Sequence, residues 1–468
     1  MNITHISAEC YPLAKVGGLA DVVGALPKYQ NQLGHESMVI MPFYNTKFTQ
    51  NNTFTEVFKS EIHLGYHTID FQILALKDNA LGFDVFCVHI PQLLYTAKVY
   101  SDDDSMRFLA FQVAALDWIK QKRDLPDIIH CHDHHTGLIP FMMTHSFVYD
   151  RLRSIPSVVT IHNAQYQGWA GMELAEFIPH FKADRLGFTM WGNSINTLAS
   201  AIKCAWKVTT VSPSYMEELM YKANGLENLL RHEHHKCVGI LNGIDTAVWN
   251  PKADDYLVKN YTIKNSLSGK KANKDYLCKT FNLDASKPLF TFIGRLVGEK
   301  AADLLPYMCD RALSYQDISI LILGSGDSNV EHQLNSLKEK HSGRYNAFIG
   351  YDEKLSHIMY AGADFLLMPS RVEPCGLNQM YALRYGTVPV VNRIGGLKDT
   401  VSDFSLNGGF GITCNEASVD AFNNAIERGV SWYSHKEAFN KNTKYMMSID
   451  HSWDKSAQDY INLYKTLK

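Results

Sequence analysis

No apolar run in this sequence reaches the ~20 residues that a bilayer-spanning helix needs, and the opening Met1-Asn2-Ile3-Thr4-His5 carries no basic, signal-like stretch. A cytoplasmic protein with no membrane partner is therefore expected. No Cys-x-x-Cys pair stands among the nine scattered cysteines, and a chain this long has no need of staples, so they read as free thiols. Neither sign of charge prevails, with 45 basic against 48 acidic residues and a formal net charge of -3. That balance gives no general attraction to nucleic acid or to an anionic membrane, and leaves any anion binding to local basic sites. The sequence has no repeat and no low-complexity tract. No Gly-x-Gly-x-x-Gly follows the first apolar run, which disfavours a dinucleotide-dependent oxidoreductase.

What is present is a folded-protein composition, 46% hydrophobic and 20% charged over 468 residues. Single cores stop growing near roughly 250 to 300 residues, so two domains are expected. Short β-branched runs at 3–7, 37–41, 84–88, 128–131, 158–161 and 208–211 alternate with helix-length segments. A second set follows at 289–293, 318–323, 365–368 and 388–391. Near-continuous apolar runs of this kind mark parallel strands covered on both faces, hence two doubly wound α/β domains. The boundary is placed at the turn signal 242–245, giving domains 1–245 and 246–450. The tail 451–468 spaces Trp453, Tyr460, Ile461 and Tyr464 as a helix that could return to the first domain. Ligands of such sheets bind beyond the carboxyl ends of the strands, so two facing domains would converge on a cleft.

The chemistry-bearing stretches sit after these strands. Lys15, Gly17, Gly18 and Asp21 lie where the first strand hands over to the first helix, and a cation beside glycine amides at a helix start suits a phosphate. Arg295 and Lys300 follow the first strand of the second domain, a fork and a point charge that together could neutralise a diphosphate. The stretch 369–379 brings Glu373 to what reads as a helix start, where it could accept from ligand hydroxyls, followed by the amides of Cys375, Gly376 and Leu377. Gly395 and Gly396 repeat the strand-glycine-helix plan. The run His130-Cys131-His132-Asp133-His134-His135 invites a metal, because His, Cys and Asp are all zinc ligands. Alternate side chains leave a strand end on opposite faces, so the run cannot converge as a whole on one ion, and no metal is expected. Asp133 and one or two of the histidines are expected instead at a polar ligand, with His162 and Asn163 ending the next strand in the same way.

These motifs, in this order and over nearly the whole chain, resemble the bacterial glycogen synthases and plant starch synthases, retaining glycosyltransferases of the two-domain GT-B architecture. The resemblance runs through 15–22, 160–163, 208–213, 239–245, 294–296, 369–377 and 395–397. It implies transfer of glucose from ADP-glucose to the non-reducing 4-hydroxyl of an α-1,4-glucan, with the α configuration kept and no cofactor or metal. By position Arg295, Lys300, Lys15, Gly17 and Gly18 would hold the diphosphate. Glu373 and the 375–377 amides would hold the glucose, Asp133 and His162 would lie beside it, Tyr351 would stack on the base, and Asn242 would support the sugar site. Three positions depart from the family pattern, Ala301 standing for Gly, Asn378 for Thr and Ile394 for Thr, and the pair Val297-Gly298 is also unusual. They leave open UDP-glucose as donor, another acceptor, or a homologue that binds glucan or nucleotide with weakened turnover.

Overall fold

The computed structural model describes residues 1–102 and 104–468, and the chain divides into two units. Met1–Asn242 and Trp453–Lys468 form the first, and Gly243–Ser452 the second. The sequence placed the boundary after residue 245; the structure places it after Asn242.

A nine-stranded sheet organises the first unit. From one edge it runs Cys237–Gly239, Lys207–Thr210, Ser157–Ile161, Ile128–His132, Asn2–Ile6, Glu36–Pro42, Asp84–His89, His67–Leu76 and Phe54–Leu64. The first seven are mutually parallel. The last two form an antiparallel hairpin on the Asp84–His89 edge. Central strands are buried along their whole length, as in Ile128–His132 and Ser157–Ile161, so they read as unbroken apolar runs. Phe54–Leu64 has most of its residues at least partly exposed, and its mixed pattern hid the hairpin from that criterion.

The helices Gly18–Gln32 and Trp453–Lys465 cover one face together. Val22, Leu26 and Tyr29 pack with Trp453, Ala457 and Ile461 over Ile3, Ile128 and Val158. Each such fully buried large side chain contributes roughly 1.5–3 kcal/mol, enough to hold the last helix on this sheet.

The second unit has six parallel strands in the spatial order Tyr345–Ile349, Ser319–Gly324, Leu289–Ile293, Phe365–Met368, Val388–Asn392 and Ile412–Cys414. Counted along the chain that order is 3-2-1-4-5-6, the doubly wound arrangement whose direction reverses between strands 1 and 4. Here the reversal lies between Leu289–Ile293 and Phe365–Met368, and Phe290 stacks on Phe365 beneath it with centroids 4.4 Å apart. In the first unit the corresponding reversal falls between Asn2–Ile6 and Ile128–His132. Among the described residues no helix is long and apolar enough to cross a membrane. All nine cysteines are free.

Candidate active site

Each reversal point carries some of the residues singled out in the sequence. In the second unit the loops after Leu289–Ile293 and Phe365–Met368 are stitched to each other. Lys300 Nζ donates to both carboxylate oxygens of Glu373, at 2.8 and 2.6 Å, and Ser370 Oγ donates to the second at 2.9 Å. Glu373 is thereby nearly sealed, its side chain 8% exposed, while Lys300 keeps 23%. An ammonium has three donors, so one remains for a ligand. Arg371 pairs with Asp303 through a two-pronged contact of 2.6 and 2.8 Å, which holds the Asp303 carboxyl below its usual range. The amides of Arg371 and Val372 donate to the Glu299 carbonyl, and Glu299 pairs with Arg295, whose side chain is otherwise largely exposed.

Glu373 does not sit at a helix start, as the sequence suggested. The next helix begins at Asn378, and Glu373 lies in the preceding loop. The intervening turn needs Gly376, at φ +72°, and is pinned by Gln379 Nε2 donating to the carbonyls of Cys375 and Gly376. The glycine pair after Val388–Asn392 has a close-packing role. A Cβ on Gly395 would stand 2.1 Å from the Glu373 carbonyl oxygen, and one on Gly396 2.1 Å from that of Cys375. The Gly396 amide donates to the Glu373 carbonyl at 3.1 Å. These two residues let one backbone lie on another.

The three departures have distinct consequences. Ala301 occupies the left-handed region, φ +52° and ψ 37°, fully buried, where its methyl group is disfavoured. The chain therefore adopts the glycine-like turn with an alanine. Asn378 Nδ2 donates to the Ile293 carbonyl at 2.8 Å, tying the helix start to the end of the first strand. Ile394 is the N-cap of the helix Gly395–Thr400 and offers no side-chain cap.

In the first unit Glu9, which sequence inspection missed, holds the glycine turn. Its carboxylate accepts the amides of Val16 (2.6 Å) and Gly17 (3.0 Å) and the Tyr100 hydroxyl. Burial raises its pKa. Lys15 pairs with Asp21 at 2.7 Å and lies over the Tyr11 ring. Gly17 has extended backbone, φ -141°, and a Cβ on Gly17 or Gly18 would meet nothing within 4 Å. Neither conformation nor packing explains why these two are glycines.

Asp133 stands at the end of Ile128–His132 with φ +57° and ψ -174°, a conformation that is strained for any side chain. The strain lets its carboxylate accept the His162 amide at 2.7 Å, joining the ends of two neighbouring strands. Desolvation pushes its pKa up to about 7. Asn163 Oδ1 accepts from the Gln165 amide, shaping the loop beyond. His130 and His132 share a face, and His5 from the adjacent strand joins them, their ligand atoms within 4.8 Å of one another. All six ring nitrogens of this trio are engaged. His5 meets Gln30 (2.8 Å) and His132 (3.0 Å), His132 also meets His162 (3.0 Å), and His130 meets Tyr464 (2.7 Å) and Thr160 (2.6 Å). The trio is a hydrogen-bonded network as it stands. Reading the histidine run alone missed His5, which a buried histidine in the first strand could have signalled.

Of the remaining predicted residues, Asn242 is buried with its Oδ1 unpartnered among the described residues. Tyr351 is 81% exposed just beyond the strand Tyr345–Ile349. Ser370, Asp303 and Gln379 had no signal in the sequence beyond lying near Glu373 and Lys300.

Comparison with known proteins identifies the family. The starch synthase catalytic domain family matches residues 2–232, and the glycosyl transferases group 1 family matches residues 275–446. The chain is 51% identical to a glycogen synthase of Flavobacterium johnsoniae, covering 100% of this chain and 99% of that one. It is 37% identical to glycogen synthase 2 of Geobacter metallireducens over 100% and 99%. Among solved structures, the catalytic domain of starch synthase IV from Arabidopsis thaliana, bound to ADP and acarbose, superposes with a TM-score of 0.90 at 32% identity, covering 100% of this chain and 99% of that one. A sucrose-phosphate synthase from Thermosynechococcus elongatus shares the fold, with a TM-score of 0.63 at 17% identity over 99% and 98%. The chain belongs to the glycogen and starch synthase family, glucosyltransferases of the GT-B type built from two Rossmann-like domains.

Proposed function

We propose that this protein lengthens α-1,4-glucans, transferring glucose from ADP-glucose to a non-reducing 4-hydroxyl with retention of configuration. The observation that carries the reading is the placing of the Lys300–Glu373 pair and of Arg295, itself paired with Glu299, on the loops at the strand reversal of the second unit. Breaking a sugar-phosphate bond builds negative charge on the departing diphosphate and positive charge on the sugar. Arg295 and the remaining donor of Lys300 serve the first. The Glu373 carboxylate fixes Lys300 and, with the turn Cys375, Gly376 and Leu377, faces the sugar. In the first unit Lys15 and the Gly18 amide offer further phosphate donors, with Gly17 leaving the space for their approach, and Asp133, His162, Asn163 and Asn242 offer polar contacts to the sugar. Tyr351 serves the base.

ADP in the starch synthase IV structure supports an adenine nucleotide over a uridine one. We assign no metal, since the cations already neutralise the leaving group, and chelation should leave turnover unchanged. Nine free cysteines fit the reducing cytoplasm. The test is incubation with a short maltooligosaccharide and either ADP-glucose or UDP-glucose. Chain lengthening is expected with ADP-glucose at the higher kcat/KM; no lengthening with either donor would overturn the reading. Lys300→Ala should lower kcat by roughly a hundredfold or more, as for loss of a charge-stabilising group. It should also lower stability, because the buried Glu373 carboxylate loses its partner.

A further inference from the structure

One face of the first sheet carries a continuous string of polar side chains beneath the helices Gly18–Gln32 and Trp453–Lys465. Thr209, Thr160, His130, His132 and His5 come from four neighbouring strands, with Thr209 opposite Thr160 and His5 opposite His130 in register. Gln30 and Tyr464 descend from the helices, and all seven are fully buried. Thr209 Oγ1 lies 3.5 Å from the Val159 carbonyl and 2.6 Å from Thr160 Oγ1. Thr160 meets His130 Nε2 at 2.6 Å, and His130 Nδ1 meets the Tyr464 hydroxyl at 2.7 Å. Gln30 lies 3.4 Å from Tyr464 through its amide nitrogen, and 2.8 Å from His5 Nε2 and 2.7 Å from Ser37 Oγ through its oxygen. His5 Nδ1 meets His132 Nε2, and His132 Nδ1 meets His162 Nε2, both at 3.0 Å.

Counting protons along this string gives it a direction. A carbonyl only accepts, so Thr209 donates to Val159 and accepts from Thr160. Thr160 then accepts from His130 Nε2, which leaves His130 Nδ1 to accept from Tyr464, and Tyr464 to accept from the Gln30 amide. The Gln30 oxygen accepts from Ser37 and from His5 Nε2. His5 Nδ1 accepts from His132 Nε2, and His132 Nδ1 accepts from His162 Nε2. Reversing every bond would leave the buried Ser37 hydroxyl with no acceptor among the described residues. Such an orphan donor is disfavoured. Burial keeps these rings neutral, with His5 lowered to about 4 and His162 to about 3, so each holds a single proton.

We propose that this string fixes His162 as the Nε2–H tautomer and presents its Nδ1 as an obligate hydrogen-bond acceptor, so that it reads a hydroxyl of the bound sugar. Nδ1 has no partner among the described residues, whereas Nε2 is held by His132. Gln30, His5, His132 and Tyr464 are positioning residues in this scheme. They act through His162, and the last helix reaches the site through Tyr464. The part concerning a sugar hydroxyl rests on the proposed glucosyl transfer; the tautomer does not.

The test is nitrogen-15 NMR of the full-length, histidine-labelled protein at neutral pH, with His162 assigned by its disappearance in His162→Gln. A protonated Nε2 and an unprotonated Nδ1 are expected. A proton on Nδ1, or signals averaged between tautomers, would overturn the proposal whatever the enzyme turns over. In Gln30→Leu the His162 signals should average, and kcat/KM for transfer should fall roughly tenfold, the scale of one or two lost hydrogen bonds, with an unchanged circular dichroism spectrum. An unshifted His162 in that variant would overturn the string's directing role. Should Gln30→Leu fail to fold, the spectrum of the unaltered protein decides.

Discussion

Two glycine pairs follow the same plan of strand, glycine, glycine, helix, and the structure uses them for opposite ends. At Gly395–Gly396 the place of a side chain is already filled: a Cβ on either would strike a carbonyl oxygen at 2.1 Å, and Gly395 has φ +42°. At Gly17–Gly18 a Cβ would meet nothing within 4 Å, and Gly17 has ordinary extended backbone. One pair is required by the protein's own packing. The other leaves room that the protein itself does not use, which is what close approach of a ligand to the backbone demands. An identical sequence signature therefore says where a strand ends, and only the surroundings say what the glycines are for.

The supports of the two site loops differ as well. The first unit ties its loops with buried carboxylates, Glu9 and Asp133, that accept backbone amides and have their pKa values raised by burial. The second ties its loops with ion pairs, Lys300–Glu373 and Arg371–Asp303.

The largest effect that would break the comparison is expected at Gly396→Ala. Forcing a methyl group against the Cys375 carbonyl should cost roughly 3 kcal/mol or more or prevent folding, read by urea denaturation. Gly17→Ala should instead leave the unfolding midpoint unchanged or raise stability by up to about 1 kcal/mol, since the unfolded chain loses freedom while the native backbone suits any residue. If both variants destabilise alike, the contrast fails.

The supports are separable by pH. Asp133 has a native pKa of about 7, above its unfolded value, so the native state binds more protons than the unfolded state between those values. Its contribution is most favourable at low pH and declines as pH rises from about 4 to about 7. Asp133→Asn keeps the acceptor oxygen, and should remove that decline from a series of melting curves. Asp303, lowered by Arg371, has the opposite sign: its contribution is present above its unfolded pKa and is lost as pH falls through the lowered value. The smallest effect is expected from Ala301→Gly. Relief of the left-handed strain, partly offset by the freer unfolded chain, should stabilise by about 1 kcal/mol or less.

The parallel cores of both units were legible in the sequence because strands covered on both faces are continuously apolar, as in Ile128–His132 and Leu289–Ile293. The hairpin Phe54–Leu64 and His67–Leu76 was not, because an exposed edge has no such run. Site loops were legible as glycines and charges following those strands. Their internal connections were not, since Glu9 lies seven residues from the first amide it holds and Ser370 three from the carboxylate it supports, with no periodicity to mark either. His5 was hidden for a related reason. Its partners His130 and His132 are brought beside it only by strand pairing across more than a hundred residues of chain.

The open space before Gly17 and Gly18 is tested most directly by calorimetric titration of ADP into the unaltered protein and into Gly17→Val. The donor's phosphates are expected to lie against this backbone, so the variant should melt with the unaltered protein while its affinity for ADP falls by roughly tenfold or more, the scale of one lost charge-assisted contact. Equal affinities for ADP at equal melting temperatures would contradict that placement.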